Sequence, residues 1–198
     1  MHIVYLHGFR SSPDSFKARL LGERLAALGL AQAYEAPALD VAPARAIAQI
    51  EALCARHDPD TLSLIGSSLG GYYATWMAER LGCRAVLLNP GIFAARDLSL
   101  YVGTHTMFHD PSQQFEFKAE YIDQLRAIEV PAITRARRYF LVAATGDEVL
   151  DWREMVKKYT GAPMKVIPGS DHGLSDFEQH IEEVLAFCTG PFPLEKTQ

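Results

Sequence analysis

The chain reads as an α/β protein, with one mostly parallel sheet of roughly six strands and helices on both faces. Three observations predict this. Six short apolar segments alternate with stretches of helical periodicity, and such alternation builds a parallel sheet. Several segments are continuous apolar runs, the pattern of strands buried on both faces. The length of 198 residues suits one domain with a substantial core.

The elements follow in order. His2–Leu6 is the first strand. A helix is expected from Ser12-Pro13, a cap residue followed by proline at the first helical position. Its apolar stripe is Phe16, Leu20, Leu25 and Leu28. Ala33–Ala36 is the second strand, and the helix after it begins near Pro43 and carries Ile47, Ile50, Leu53 and Cys54. The third strand, Thr61–Ile65, runs through a glycine-rich turn into a helix from Gly70 to Leu81. Ala85–Leu88 and Tyr139–Ala144 are the fourth and fifth strands. A helix starts near Asp151, and Met164–Ile167 is the sixth strand. The last helix opens on Ser175-x-x-Glu178, a capping box, with Phe177, Ile181, Val184, Leu185 and Cys188 on one face. The single domain is expected to span 1–190, with 191–198 a loose polar tail.

One connection is too long for a simple crossover. Between Asn89 and Arg138 the segment 90–136 carries Phe93, Leu98, Leu100, Tyr101, Phe108, Phe115, Phe117 and Tyr121. So many aromatics argue against disorder, and long insertions in compact domains are commonly functional. The segment is expected to form a lid over the carboxyl edge of the sheet. The alternative is a helical excursion packed on the side of the domain.

Hydrophobic residues make up 48% and charged residues 22%, ordinary for a soluble globular chain. A net charge of −5 argues against a general nucleic-acid or membrane-surface binder. No run approaches a membrane span, and the amino terminus enters Ile3-Val4-Tyr5-Leu6 without a basic leader. Cys54, Cys83 and Cys188 are odd in number and lack C-x-x-C spacing, so neither a disulfide framework nor a zinc site is expected. Buried thiols in a reducing cytoplasm fit better.

The chemistry centres on Gly66-Ser67-Ser68-Leu69-Gly70. An apolar strand entering Gly-x-Ser-x-Gly and then a helix is the arrangement of a nucleophile elbow. Ser68 sits at its apex. Ser67 is disfavoured, because Ile65 and Leu69 stand where its own glycines would be needed. A turn without chemistry and a phosphate-binding turn are the alternatives. The segment has neither the G-x-G-x-x-G spacing nor the lysine of a P-loop.

A serine hydroxyl needs a base, and the base needs an orienting carboxylate. His172, in Gly169-Ser170-Asp171-His172-Gly173, follows the last strand and precedes the final helix, the expected place. Thr145-Gly146-Asp147-Glu148-Val149-Leu150-Asp151 supplies carboxylates after the penultimate strand. Asp147 is favoured as the orienting acid and Asp151 is the alternative, although Asp151 looks more like a helix cap. Glu148 is expected to point away. Asp171 adjoins His172, but neighbouring side chains diverge. The oxyanion donors would be the backbone amides of Leu69 and of Phe9, in the loop His7-Gly8-Phe9-Arg10. His7 is expected to be a structural hydrogen-bonder. Arg10 is either a substrate contact or a solvated charge, and Tyr72 or Tyr73 either touches the acyl group or packs the helix. Arg135, Arg137 and Arg138 either attract a phosphate-bearing substrate or form a solvated basic stretch.

Together these pieces resemble the α/β-hydrolase fold. Tyr5-Leu6-His7-Gly8-Phe9 with Ser11-Ser12-Pro13, the run from Gly66 to Trp76, and Thr145 to Asp151 resemble more narrowly the small bacterial esterase family typified by YqiA. The resemblance implies esterase activity on short acyl esters and acyl-CoA thioesters, with no metal or organic cofactor. It places the nucleophile on Ser68, the acid on Asp147 and the base on His172. The larger fold ordinarily begins with two antiparallel strands. This chain opens on the strand leading to His-Gly, as the small family does. Segment 90–136 matches the family's motifs least. The expected function is a carboxylester or thioester hydrolase working through an acyl-enzyme, with a small-molecule acyl substrate as its partner. A non-catalytic ligand-binding protein of the same fold, or a peptidase or amidase, is the alternative.

Overall fold

The computed structural model describes residues 1–191. The expected loose tail lies outside them, apart from Pro191. The main sheet contains β1 (His2–Leu6), β2 (Tyr34–Glu35), β3 (Leu62–Ser67), β4 (Arg84–Leu88), β7 (Tyr139–Ala144) and β8 (Met164–Ile167). Their spatial order is β2-β1-β3-β4-β7-β8 and every pairing is parallel. β1 and β3 run in register from His2 opposite Leu62 to Leu6 opposite Gly66. All carboxyl ends therefore share one edge.

Side chains alternate across the pleat and build two cores. Val4, Leu6, Leu64, Leu87 and Leu141 face one side. There they meet α2 (Pro43–Cys54), α3 (Leu69–Leu81) and α6 (Trp152–Lys158). Ile3, Tyr5, Ile65, Val86 and Val142 face the other side, against α1 (Phe16–Ala27) and α7 (Ile181–Thr189). Each fully buried Leu or Ile contributes roughly 1.5–3 kcal/mol, so these two layers hold the sheet as a stiff platform.

Two helix starts differ from expectation. Ser12, Pro13 and Asp14 form a turn in which the Ser12 hydroxyl accepts the Asp14 N–H (3.2 Å), and α1 begins at Phe16. The helix then buries Lys17, Ala18, Leu21 and Leu25, leaving Phe16 and Leu28 exposed. The capping box at Ser175 does not form, because the Asp171 carboxylate accepts the Ser175 N–H at 3.0 Å. A 3-10 turn over Phe177–Gln179 intervenes, and α7 starts at Ile181.

The excursion between β4 and β7 is folded. It comprises α4 (Ala94–Leu98), an antiparallel hairpin of β5 (Gly103–Thr106) and β6 (Gln114–Phe117), and α5 (Glu120–Ala127). Phe9 ties it to the sheet edge, its ring edge-on to Phe115 at 5.7 Å and to Phe117 at 5.1 Å. Phe117 is fully buried, so the hairpin has its own anchor in the first core.

Candidate active site

Ser68 lies between the end of β3 and the start of α3, with φ 54° and ψ −119°. A non-glycine residue in this region stores about 1–3 kcal/mol and persists only where the surroundings impose it. Here the Ser68 N–H donates to Leu88 O at 3.1 Å, and the Ser68 carbonyl accepts from Gly71 N at 2.9 Å and Gly91 N at 3.0 Å. The two motif glycines are sterically required. A Cβ on Gly66 would stand 2.3 Å from Gly70 O, and one on Gly70 would stand 2.0 Å from Leu6 O.

The Ser68 Oγ lies 3.0 Å from His172 Nε2, and His172 Nδ1 lies 2.8 Å from Asp147 Oδ2. A carboxylate at Nδ1 assigns the ring proton there and leaves the Nε2 lone pair for the serine hydroxyl. The Asp147 side chain is 0% exposed, against 21% for His172. Its other oxygen accepts the N–H groups of Val149 and Leu150, both at 2.8 Å, which fixes the plane of the carboxylate. Of the two acids left open by the sequence, Asp147 reaches the imidazole. Asp151 caps α6 by accepting the Arg153 N–H at 2.9 Å.

Three supports of the histidine loop carry no signal in the sequence. Glu148 was expected to point away, yet its carboxylate accepts the backbone N–H of His172 at 3.0 Å. Asn89, fully buried at the end of β4, donates its side-chain amide to Asp171 O (2.9 Å) and His172 O (3.2 Å). Its Oδ1 accepts the Ala144 N–H at 2.8 Å. One amide thus joins β4, β7 and the loop carrying the imidazole. Lys17 adds a third tie by donating to Gly173 O. Burial pushes its ammonium down to about 8, with Asp171 and Asp147 opposing. A lone Asn after a strand and a Lys on a helix carry no local signal of such roles.

A cavity of about 320 Å³ opens on the serine and the imidazole. Phe9 and Leu69, the expected oxyanion donors, both line it, and Gly8 sits so close that a Cβ there would be 3.1 Å from Ser68 Cβ. His7 stays out of the chemistry. Its Nε2 accepts the Leu39 N–H at 3.1 Å, which puts the proton on Nδ1, 3.0 Å from Gly8 O. Arg10 lines the cavity but is engaged with the hairpin, donating Nε–H to Thr106 O at 2.8 Å with its guanidinium 4.3 Å from the Phe108 ring centroid.

Tyr72 is a correction. It is buried between α3 and α5, donates its hydroxyl to Leu125 O at 2.8 Å, and does not line the serine cavity. Its aromatic ring is drawn into the first core rather than towards the acyl site. Arg135, Arg137 and Arg138 precede β7, at the opposite end of the sheet from Ser68, so they cannot meet a substrate held there.

Comparison with known proteins agrees with this frame. The profile of the uncharacterised protein family UPF0227 matches residues 2–189. Alpha/beta hydrolase domain-containing protein 10 from mouse superposes with a TM-score of 0.68 at 13% identity, over 93% of this chain and 89% of that one. Carboxylesterase CesB (YbfK) from Bacillus subtilis gives 0.56 at 15% identity, over 96% and 84%. Dipeptidyl aminopeptidase B from Saccharomyces cerevisiae is 26% identical over 140 residues, which is 66% of this chain but only 16% of that protein's length. With the profile spanning nearly the whole chain, the protein belongs to the uncharacterised protein family UPF0227, and its fold is that of the α/β hydrolases.

Proposed function

We propose that this protein is a serine hydrolase that cleaves carboxylic esters, and acyl thioesters of similar size, through an acyl-enzyme on Ser68. The observation that carries the reading is the unbroken relay Ser68 Oγ, His172 and Asp147 at 3.0 and 2.8 Å, ending in an open cavity. A binding protein of this fold has no use for a serine held at φ 54° beneath a buried-acid imidazole.

The chemistry follows from the positions. Ser68 Oγ attacks the acyl carbon while His172 Nε2 takes its proton. The Asp147 carboxylate stabilises the imidazolium and stays ionised. The oxyanion faces the amides of Phe9 and Leu69, the latter at the amino end of α3 where the helix dipole favours negative charge. The imidazolium gives its proton to the leaving alcohol or thiol. Water, deprotonated by the same Nε2, then releases the acid and restores the serine.

Segment 90–136 acts as the lid, supplying apolar cavity walls such as Leu98, Leu100 and Phe108 that suit an acyl chain. Cys54, Cys83 and Cys188 are buried free thiols, consistent with a cytoplasmic setting. Among the described residues no helix is long and apolar enough to cross a membrane.

The test is fluorophosphonate labelling together with a panel of activated ester, thioester and amide substrates. Labelling of the wild type at Ser68, with ester turnover abolished in Ser68→Ala, supports the reading. A folded wild type that resists the probe indicates a binding protein. Preferential amide cleavage indicates a peptidase.

A further inference from the structure

The amino-terminal edge of the sheet, opposite the catalytic edge, carries a cluster that the hydrolytic chemistry does not use. His2 opens β1, Glu35 ends β2, and His57 follows α2. The two imidazoles are stacked, with centroids 3.7 Å apart and planes 13° from parallel. Both Nε2 atoms are buried and make no hydrogen bond of acceptable geometry, although each faces the same carboxylate oxygen. Glu35 Oε1 is 2.8 Å from His2 Nε2 and 3.6 Å from His57 Nε2. These three donor atoms lie within 4.8 Å of one another.

We infer that His2, Glu35 and His57 form a binding site for a divalent cation of the zinc type, which clips the edge strand β2 to β1 and to the end of α2.

The donor set is two imidazole nitrogens and one carboxylate oxygen, a combination that favours zinc and neighbouring transition metals over magnesium or calcium. Zinc holds such ligands at about 2.0–2.2 Å. Two ligands at that distance in a tetrahedron are roughly 3.3–3.4 Å apart, and the observed 2.8 and 3.6 Å straddle that separation. The lone pairs of parallel rings run side by side, so convergence on one ion requires the imidazoles to open from 13°. A histidine χ2 rotation is soft enough to allow it.

The surroundings favour the ligating forms. Burial, and then the neighbouring His57, hold the His2 imidazole below its ordinary value, against the pull of Glu35. Burial opposes ionisation of Glu35, but Arg56 and then His2 outweigh it and keep the carboxyl below its ordinary value. The Arg56 guanidinium sits on Oε2 at 2.7 Å, leaving Oε1 for the ion. Among the described residues it is the cation paired with this carboxylate, and it acts as the outer partner that orients a ligating carboxylate. Edge strand β2 is only two residues long and makes a single pairing in the sheet, so a staple there has something to stabilise.

The test uses untagged protein, freed of metal by chelator, with Zn²⁺ and Co²⁺ as probes. We expect one ion per chain, and a rise in Tm of roughly 5–10 °C at a hundredfold excess of Zn²⁺ over its Kd. Addition of chelator should reverse the rise, and Co²⁺ should give the intense visible absorption of a tetrahedral site. His57→Gln and Glu35→Gln should each abolish the stoichiometric binding, while His109→Gln, an exposed histidine elsewhere, should leave it intact. If either variant fails to fold, the Co²⁺ spectrum of the wild type decides between nitrogen ligation and its absence. No shift and no spectrum, or binding that survives His57→Gln, overturns the site and leaves a stacked imidazole pair sharing a proton with Glu35.

Discussion

The side chain of Asn89 grips the backbone of His172, donating to its carbonyl at 3.2 Å while accepting the Ala144 N–H at 2.8 Å. The imidazole is therefore placed from the strand beside β3 and not by its own loop alone. Asn89→Ala leaves three backbone groups without this partner, and each unsatisfied buried group costs about 1–3 kcal/mol. We expect a lower urea midpoint and, in the folded enzyme, a loss of kcat of roughly tenfold with KM little changed. An unaltered kcat would show that the loop holds its own position.

Asp147→Asn keeps the shape of the relay but removes the charge that faces the imidazole, which on the proposed mechanism stabilises its protonated form. Turnover of an activated ester should fall by about 10³–10⁴-fold with the fold intact, as other triads of this type behave. Steady-state kinetics beside a circular dichroism spectrum measures both. Equal activity in the variant would reassign the acid, with Glu148 as the first candidate.

Gly70→Ala would drive a Cβ to 2.0 Å from the Leu6 carbonyl, which belongs to the backbone of β1 and cannot yield. Soluble expression should fail, or Tm should drop steeply. Gly29→Ala is the contrast. Its added Cβ meets nothing within 4 Å, and only its φ of 74° opposes it. The cost there should be about 1–2 kcal/mol.

Acid should loosen the oxyanion loop through His7. Burial holds its imidazole below the ordinary 6.5, against the pull of the Gly8 carbonyl. As the pH falls below 6.5, the unfolded chain takes up this proton before the folded one, so the stability contributed by neutral His7 is present above that pH and is lost as the pH drops through the folded value. Protonation also removes the acceptor for the Leu39 N–H. His2 titrates in the same direction, so the measurement is the difference in Tm between wild type and His7→Gln from pH 7.5 to 5. That difference should shrink on acidification.

Arg10→Met should free the hairpin tip by removing the bond to Thr106 O and the contact with Phe108. KM for longer acyl esters should rise several-fold, with acetyl esters affected least. A uniform fall in kcat across chain lengths would mean that Arg10 acts on the oxyanion loop instead.

The framework was legible because its strands are apolar runs whose exclusion from water requires cover on both sides. All six were visible, down to the two-residue β2 inside the expected Ala33–Ala36. The convergence of Ser68, Asp147 and His172 was legible because glycine punctuation sets each one past the end of a strand. The hairpin was not, since Gly103-Thr104-His105-Thr106 has no apolar alternation of its own and is held by Phe9, far away in the chain. Of the expected stripe of α1 only Leu25 is fully buried; Lys17, Ala18 and Leu21 take the rest of the inner face, and Lys17 reaches Gly173 by a tertiary bond no periodicity can report. Glu148 and Asn89 were missed for the same reason, because their partners are backbone groups of a loop that exists only once the chain has folded.

Because β4 and β7 are neighbours, the excursion between them departs from and rejoins the platform at adjoining strands. It behaves as a cassette. A change of its length between its own anchors, Gly91 under the Ser68 carbonyl and Phe117 in the first core, would remodel the cavity walls without shifting the sheet beneath.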